Sequence, residues 1–154
     1  MNNEKPKEIF LIPENLDNFV IIYEAEKNSE YNKDITYRIP KSGVLKVKFQ
    51  RNKGILNHKY ILVDKAGKEK YELQNFAVHK YRNNIQNNVK YQLDGIDGSY
   101  IDNNFAEVTE EKTELSTKNP NSKKWFGIII GKPSDNQNKL RGKLFAKVDS
   151  ISKK

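Results

Sequence analysis

Cysteine is absent from all 154 residues. That excludes disulfide staples, thiol nucleophiles and thiolate metal sites, and it leaves the redox compartment open. Arginine is scarce, at Arg38, Arg51, Arg82 and Arg141 only. Guanidinium forks read bases and phosphates best, so a net charge of +8 carried almost wholly by lysine disfavours a nucleic-acid partner. The lysines travel with heavy Asn and Ile usage, the bias of AT-rich coding DNA. Long apolar runs are missing too. "WFGIII" and "NFVIIY" have strand length, against the roughly 20 residues a helix needs to span a bilayer. The start "MNNEKPKE" lacks the apolar core of a signal peptide. Two expectations follow: a cytoplasmic protein, or a mature exported domain whose leader was removed. G-x-S-x-G, Walker and G-x-G-x-x-G patterns are absent, which leaves acyl transfer and nucleotide chemistry without a foothold. No internal repeat, heptad or dividing linker is visible.

What is present is alternation. Hydrophobic residues make up 36% and charged residues 31%, yet every window of about 25 residues holds an apolar run, unlike a disordered chain. "EIFLIP" ends at Pro13, which cannot donate to a ladder. "NFVIIYEAE" carries apolar residues on both faces, so its first half is expected to be buried on both sides. "ITYRIP" alternates Ile35, Tyr37 and Ile39 against Thr36 and Arg38. In "KSGVLKVKFQ", Leu45, Val47 and Phe49 face one way and Lys46 and Lys48 the other, after a turn that wants Gly43 at positive φ. Lys59 to Val63 and Glu69 to Leu73 read as a hairpin through Asp64–Gly67. From 74 to 124 the pattern weakens: "NFAVHKY" and "VKYQLDG" read as strands, and "AEVTEEKTEL" as a short helix or loop. "KKWFGIIIG" is again a strand. Between 137 and 151, Leu140, Leu144, Phe145, Val148 and Ile151 follow helical spacing, with Ser134 and Gln137 as a capping box. Leu140, Leu144, Ala146 and Val148 also alternate as in a strand; the helix accounts for Phe145 and Ile151, and a helix is expected. Many short strands with frequent turns indicate a β-sandwich or barrel.

Chemistry-bearing residues are thin. His58 and His79 lack a partner at metal-ligand spacing and read as polar residues at strand ends. Asp94, Asp97 and Asp102 in "LDGIDGSYID" surround two glycines but miss the D-x-D-x-D-G pattern, so they read as turns rather than a calcium loop. Glu107, Glu110, Glu111 and Glu114 lie in a solvated acidic segment, a poor place to raise an acid's pKa. Lys46, Lys48, Arg51 and Lys53 form the densest basic run and a candidate anion-binding face. Tyr91, Tyr100 and Trp125 are a candidate stacking platform for sugar rings or bases, weighed against a core role. No catalytic residue, metal ligand or cofactor is assigned.

"LIPENLDNFVIIYE", "YRIPKSGVLKVKF", "NKGILNHKYILVDKAGKE" and "WFGIIIGKPSD" resemble an uncharacterised family of bacterial exported domains, many of them predicted lipoproteins. Ile12, Pro13 and Glu14 fit its opening motif, Ile39, Pro40 and Gly43 its Ile-Pro-x-x-Gly-Val motif, and Gly131 the last. Leu16, Asn18 and Phe19 stand where family members carry Tyr, Gly and Trp. The resemblance implies a β-sandwich similar to transthyretin or the carboxypeptidase regulatory domain, and an envelope or periplasmic location with any lipid anchor outside the given chain. It implies no reaction.

The expected molecule is therefore an all-β antiparallel sandwich, transthyretin- or Ig-like, with a C-terminal helix. Residues 1–8 are expected as a polar tail or tether and 9–151 as one domain. The expected role is non-catalytic: an exported interaction or structural module of a bacterial envelope with a protein or glycan partner. Anion or nucleic-acid binding through the lysine-rich face is the alternative, and a carbohydrate-binding accessory role a weaker one.

Overall fold

A computed structural model describes residues 6–24, 34–49, 51–52, 57–101 and 122–152, with backbone alone at 100, 101 and 122. Among the described residues eight strands run in chain order: β1 Lys7–Pro13, β2 Asn18–Tyr23, β3 Ile35–Arg38, β4 Val44–Val47, β5 Asn57–Val63, β6 Glu69–Leu73, β7 Tyr91–Ile101 and β8 Ser122–Gly131. The helices α1 Phe76–Tyr81 and α2 Gln137–Ser152 join them. One sheet has the order β3-β1-β5-β6, the other β4-β2-β8-β7.

Neither sheet is purely antiparallel, which corrects the expected sandwich. β1 runs parallel to both β3 and β5, and β2 runs parallel to β4; antiparallel pairs are β5–β6, β2–β8 and β7–β8. Period-two patterning encodes which face is buried and says nothing about strand direction. The parallel pairs arise because β1 and β2 are not a hairpin. The chain leaves β1 at Pro13, turns through a Leu16 N–H to Pro13 carbonyl bond, and enters the other sheet as β2. It repeats the move after β3: Pro40 ends the strand, the Gly43 N–H donates to the Pro40 carbonyl, and β4 begins. The two corners stack, with the Ile39 N–H on the Leu11 carbonyl and the Val20 N–H on that of Gly43. "IPENL…FVIIY" and "IPKSGVLKV" are thus a structural repeat, contrary to the expectation of none. Gly43 sits at φ +76°, the left-handed region its turn position requires.

The sheets pack face to face. Phe10, Ile12, Tyr37, Tyr60 and Leu62 from the first meet Phe19, Ile21, Tyr23, Phe126, Ile128 and Ile130 from the second. The outer face of the second sheet is apolar as well. Val20, Ile22, Tyr91, Leu93, Trp125 and Ile129 are covered by Leu140, Leu144 and Val148 of α2 and Phe76 of α1. This third layer is why every residue of β2 is buried. The expected C-terminal helix is present, but its cap is Asn136, whose side chain accepts from the Lys139 N–H, rather than Ser134. Arg141 binds Asp94 at 2.5 Å and Lys143 binds Asp17 at 3.2 Å, tying α2 down along the charged side of its stripe.

Three further expectations change. "NFAVHKY" is α1, begun by the Asn75 side chain accepting from the Val78 N–H. The Asp94-Gly95 and Asp97-Gly98 pairs are not turns; they lie inside the long strand β7. β1 starts at Lys7, so Lys7 and Glu8 belong to the sheet rather than to a tail.

Candidate functional site

Parallel, in-register strands set equivalent positions side by side, and β3, β1 and β5 do so with polar aromatic residues. In one row Tyr37, Phe10 and Tyr60 are register partners, and the rings stack at 4.8 and 4.9 Å between centroids. Two residues back, in the next row on the same face, Glu8 partners His58. Glu8 shares the inward face with Phe10 and Ile12, so alternation carries a carboxylate into the interior, 1% exposed.

The hydroxyls of the tyrosine row reach back to the charged row. The Tyr37 hydroxyl donates to Glu8 Oε2 at 3.1 Å, and Asn52 Nδ2 donates to the same oxygen at 3.0 Å. His58 Nε2 lies 2.9 Å from Glu8 Oε1, an ion-pair distance without the alignment of a hydrogen bond. His58 Nδ1 and the Tyr60 hydroxyl are 3.0 Å apart, and the Tyr23 and Tyr37 hydroxyls 3.1 Å apart. Arg51 closes the cluster from the second sheet's side. Its guanidinium sits 4.2 Å from the Phe126 ring centroid and pairs with Asp97.

Burial by itself would push the Glu8 carboxyl up. The His58 ring and the Tyr37 and Asn52 hydrogen bonds together outweigh it, and the carboxyl lies below its ordinary 4.5. Burial pushes the Tyr23 phenol up to about 12 and also raises Tyr37 and Tyr60. The arrangement is an ionised carboxylate among neutral hydroxyls, each already engaged with a neighbour.

His58 and Tyr60 also form the inner wall of a cleft of about 430 Å³, bounded by Glu72, Leu73, Gln74, Asn75 and Gln92. It opens between the β5–β6 edge of one sheet and β7 of the other. The Asn75 Nδ2 donates to Gln92 Oε1 at 2.9 Å across its floor.

The residues singled out from sequence land elsewhere. Lys46 and Lys48 are exposed at β4, but Arg51 turns inward over Phe126, so the basic run is not one face; Lys53 lies outside the described residues. Tyr91 is buried beneath α1, 5.8 Å from the Phe76 ring, and Trp125 is buried beneath α2, 5.9 Å from the Phe145 ring. They are core residues well apart along the β7–β8 ladder, so these two do not share a platform; the Tyr100 side chain lies outside the described residues. Asp94 pairs with Arg141 and Asp97 with Arg51 on opposite faces of β7, while Asp102 lies outside the described residues. Glu107, Glu110, Glu111 and Glu114 lie outside them as well. Among the described residues, no three His, Asp or Glu side chains converge as a metal site would require. His79 lies beside Tyr91, with Nδ1 buried and unbonded among the described residues.

Sequence reading missed Glu8, and it placed His58 at a strand end, where it lies in β5, without its partner. The period of β1 does align Glu8 with Phe10 and Ile12, and that signal was available. His58 as its neighbour was not, because the pairing depends on the parallel register.

A family model described as a family of unknown function (DUF6843) matches residues 4–119, which takes in β1 to β7. A solved structure of a "Putative Lipoprotein from Bacillus anthracis" is similar at 17% identity and a TM-score of 0.43, over 85% of this chain and 73% of that one. Comparison with curated proteins finds no match. No helix among the described residues is long and apolar enough to cross a membrane.

Proposed function

The chain belongs to the DUF6843 family of unknown function, and on that premise we propose that it is a non-catalytic interaction module of the bacterial cell envelope. The observation that carries this reading is the closure of the Glu8 network. A general acid needs a carboxyl with a raised pKa, and a general base needs a lone pair within reach of substrate. Glu8 has neither, being held low and sealed from solvent. His58 is drawn into the same cluster, with Nδ1 3.0 Å from the Tyr60 hydroxyl and Nε2 2.9 Å from Glu8 Oε1. Convergent ionisable groups here serve packing.

The concave surface next to this network is the cleft beside His58. Gln74, Asn75 and Gln92 present paired amide donors and acceptors there, with Glu72 at the rim. That chemistry suits sugar hydroxyls or an extended peptide backbone. The envelope location rests on the resemblance of the two Ile-Pro corners to exported domains. The anion-binding alternative keeps Lys46 and Lys48 but loses Arg51, which is committed to Asp97.

Screening the purified chain against arrays of glycans, lipids and proteins tests the proposal. Binding that weakens in Gln92→Ala supports it. Turnover of a small substrate that disappears in Glu8→Gln would overturn it.

A further inference from the structure

Among the described residues the second sheet is covered on both faces and the first on one. On its open face stand Ile9 and Leu11 of β1 and Ile61 of β5, half-buried and part of neither core. No described element lies over them. The register places them in a charged frame. Across the sheet, Arg38 of β3, Leu11 of β1, Ile61 of β5 and Glu72 of β6 form one row. Arg38 and Glu72 are both exposed, and neither is paired with a described residue. The row reads positive, apolar, apolar, negative.

We propose that this face is the interface of a homodimer in which a second copy of the chain stacks sheet on sheet. A row of that pattern is complementary to itself when reversed. A two-fold axis running along the strands, midway between β1 and β5, carries β3 onto β6 and β1 onto β5. It sets Leu11 over Ile61 of the second copy, and Arg38 opposite Glu72 of the second copy, twice. An axis running across the strands would instead oppose Arg38 to Arg38 and Glu72 to Glu72, so the charges select the first. Sheets stacked in this way sit about 10 Å apart, which aliphatic side chains fill and Arg and Glu can span at the rim. A single four-stranded face offers less than the roughly 800 Å² per partner of a standard interface, so the dimer is weak and forms in the micromolar range. The pairing adds a partner that the cleft-based reading does not require.

Sedimentation velocity on the full chain, from about 10 to about 500 µM, reads it directly. A monomer–dimer equilibrium is expected, weakened about tenfold by Arg38→Glu and likewise by Glu72→Arg. The double variant Arg38→Glu with Glu72→Arg restores it, which a misfolded protein could not do. Ile61→Lys abolishes it while the circular dichroism spectrum stays unchanged. A chain that stays monomeric throughout would overturn the proposal. So would a dimer indifferent to all three single substitutions, or recruitment of this face to anionic phospholipid vesicles in place of self-association.

Discussion

Glu8 and His58 occupy matched positions on two parallel strands, and their side chains meet at 2.9 Å inside the sandwich. Around them three tyrosine hydroxyls and the Asn52 amide complete a network that no contiguous motif announces. Such a network adds little over a well-packed apolar core while intact, yet it is expensive to break. Removing the carboxylate strands several donors at once. Glu8→Ala is expected to lower the unfolding free energy by about 3 kcal/mol and Glu8→Gln by less, since the amide oxygen still accepts from Tyr37 or Asn52. Urea titrations of the three proteins check the order.

The same carboxylate makes stability depend on acid. Its folded pKa lies below the unfolded 4.5, so the unfolded chain binds the proton first as pH falls. The contribution is complete above the unfolded value and is lost as pH drops through the folded one. Melting temperatures measured downward from neutral pH should hold steady and then fall below about 4.5, more steeply in the wild type than in Glu8→Gln. Parallel curves for the two would mean that Glu8 titrates alike folded and unfolded.

The seam between α2 and its sheet depends on one close approach. A Cβ on Gly127 would lie 2.8 Å from a Leu144 methyl carbon, and Leu144 is wholly buried. Gly127→Ala is expected to cost about 1–3 kcal/mol by overpacking and Leu144→Ala about 2–5 kcal/mol by leaving a cavity. Combined, they should cost less than their sum, because the shortened side chain makes room for the added methyl. Additive losses in a double-mutant cycle would place the two residues out of contact.

The start of α2 separates two capping residues. Asn136→Ala should lower stability by about 1 kcal/mol, whereas Ser134→Ala should change it by a few tenths at most. Thermal melts of the two variants decide between them.

Much of this architecture was legible in the chain. Alternation located β1, β3, β4 and the β5–β6 hairpin, and the double-sided apolar run "NFVIIY" foretold a strand buried on both faces. Helical spacing of Leu140, Leu144 and Val148 located α2 despite Gly142, although Phe145, half of the reason for choosing the helix, is 45% exposed. Strand direction was not legible, because a buried face looks the same whichever way its neighbour runs. The corners at Pro13 and Pro40 were visible as strand ends, yet nothing local shows that the chain then changes sheets. α1 is too short for periodicity to register, and its signal is the Asn75 cap alone. The site failed for a related reason: Lys46, Lys48 and Arg51 are close in sequence, but β4 ends between them and Arg51 turns inward.

The central claim is that the Glu8 cluster is a sealed, ionised network rather than working machinery. A pH titration of the Glu8 side-chain carboxyl carbon by NMR, on the full chain, tests it most directly. The expected result is a midpoint below 4.5 that stays put when candidate ligands are added. A midpoint displaced upward toward neutrality, the mark of a carboxyl held ready to give up a proton, would contradict it.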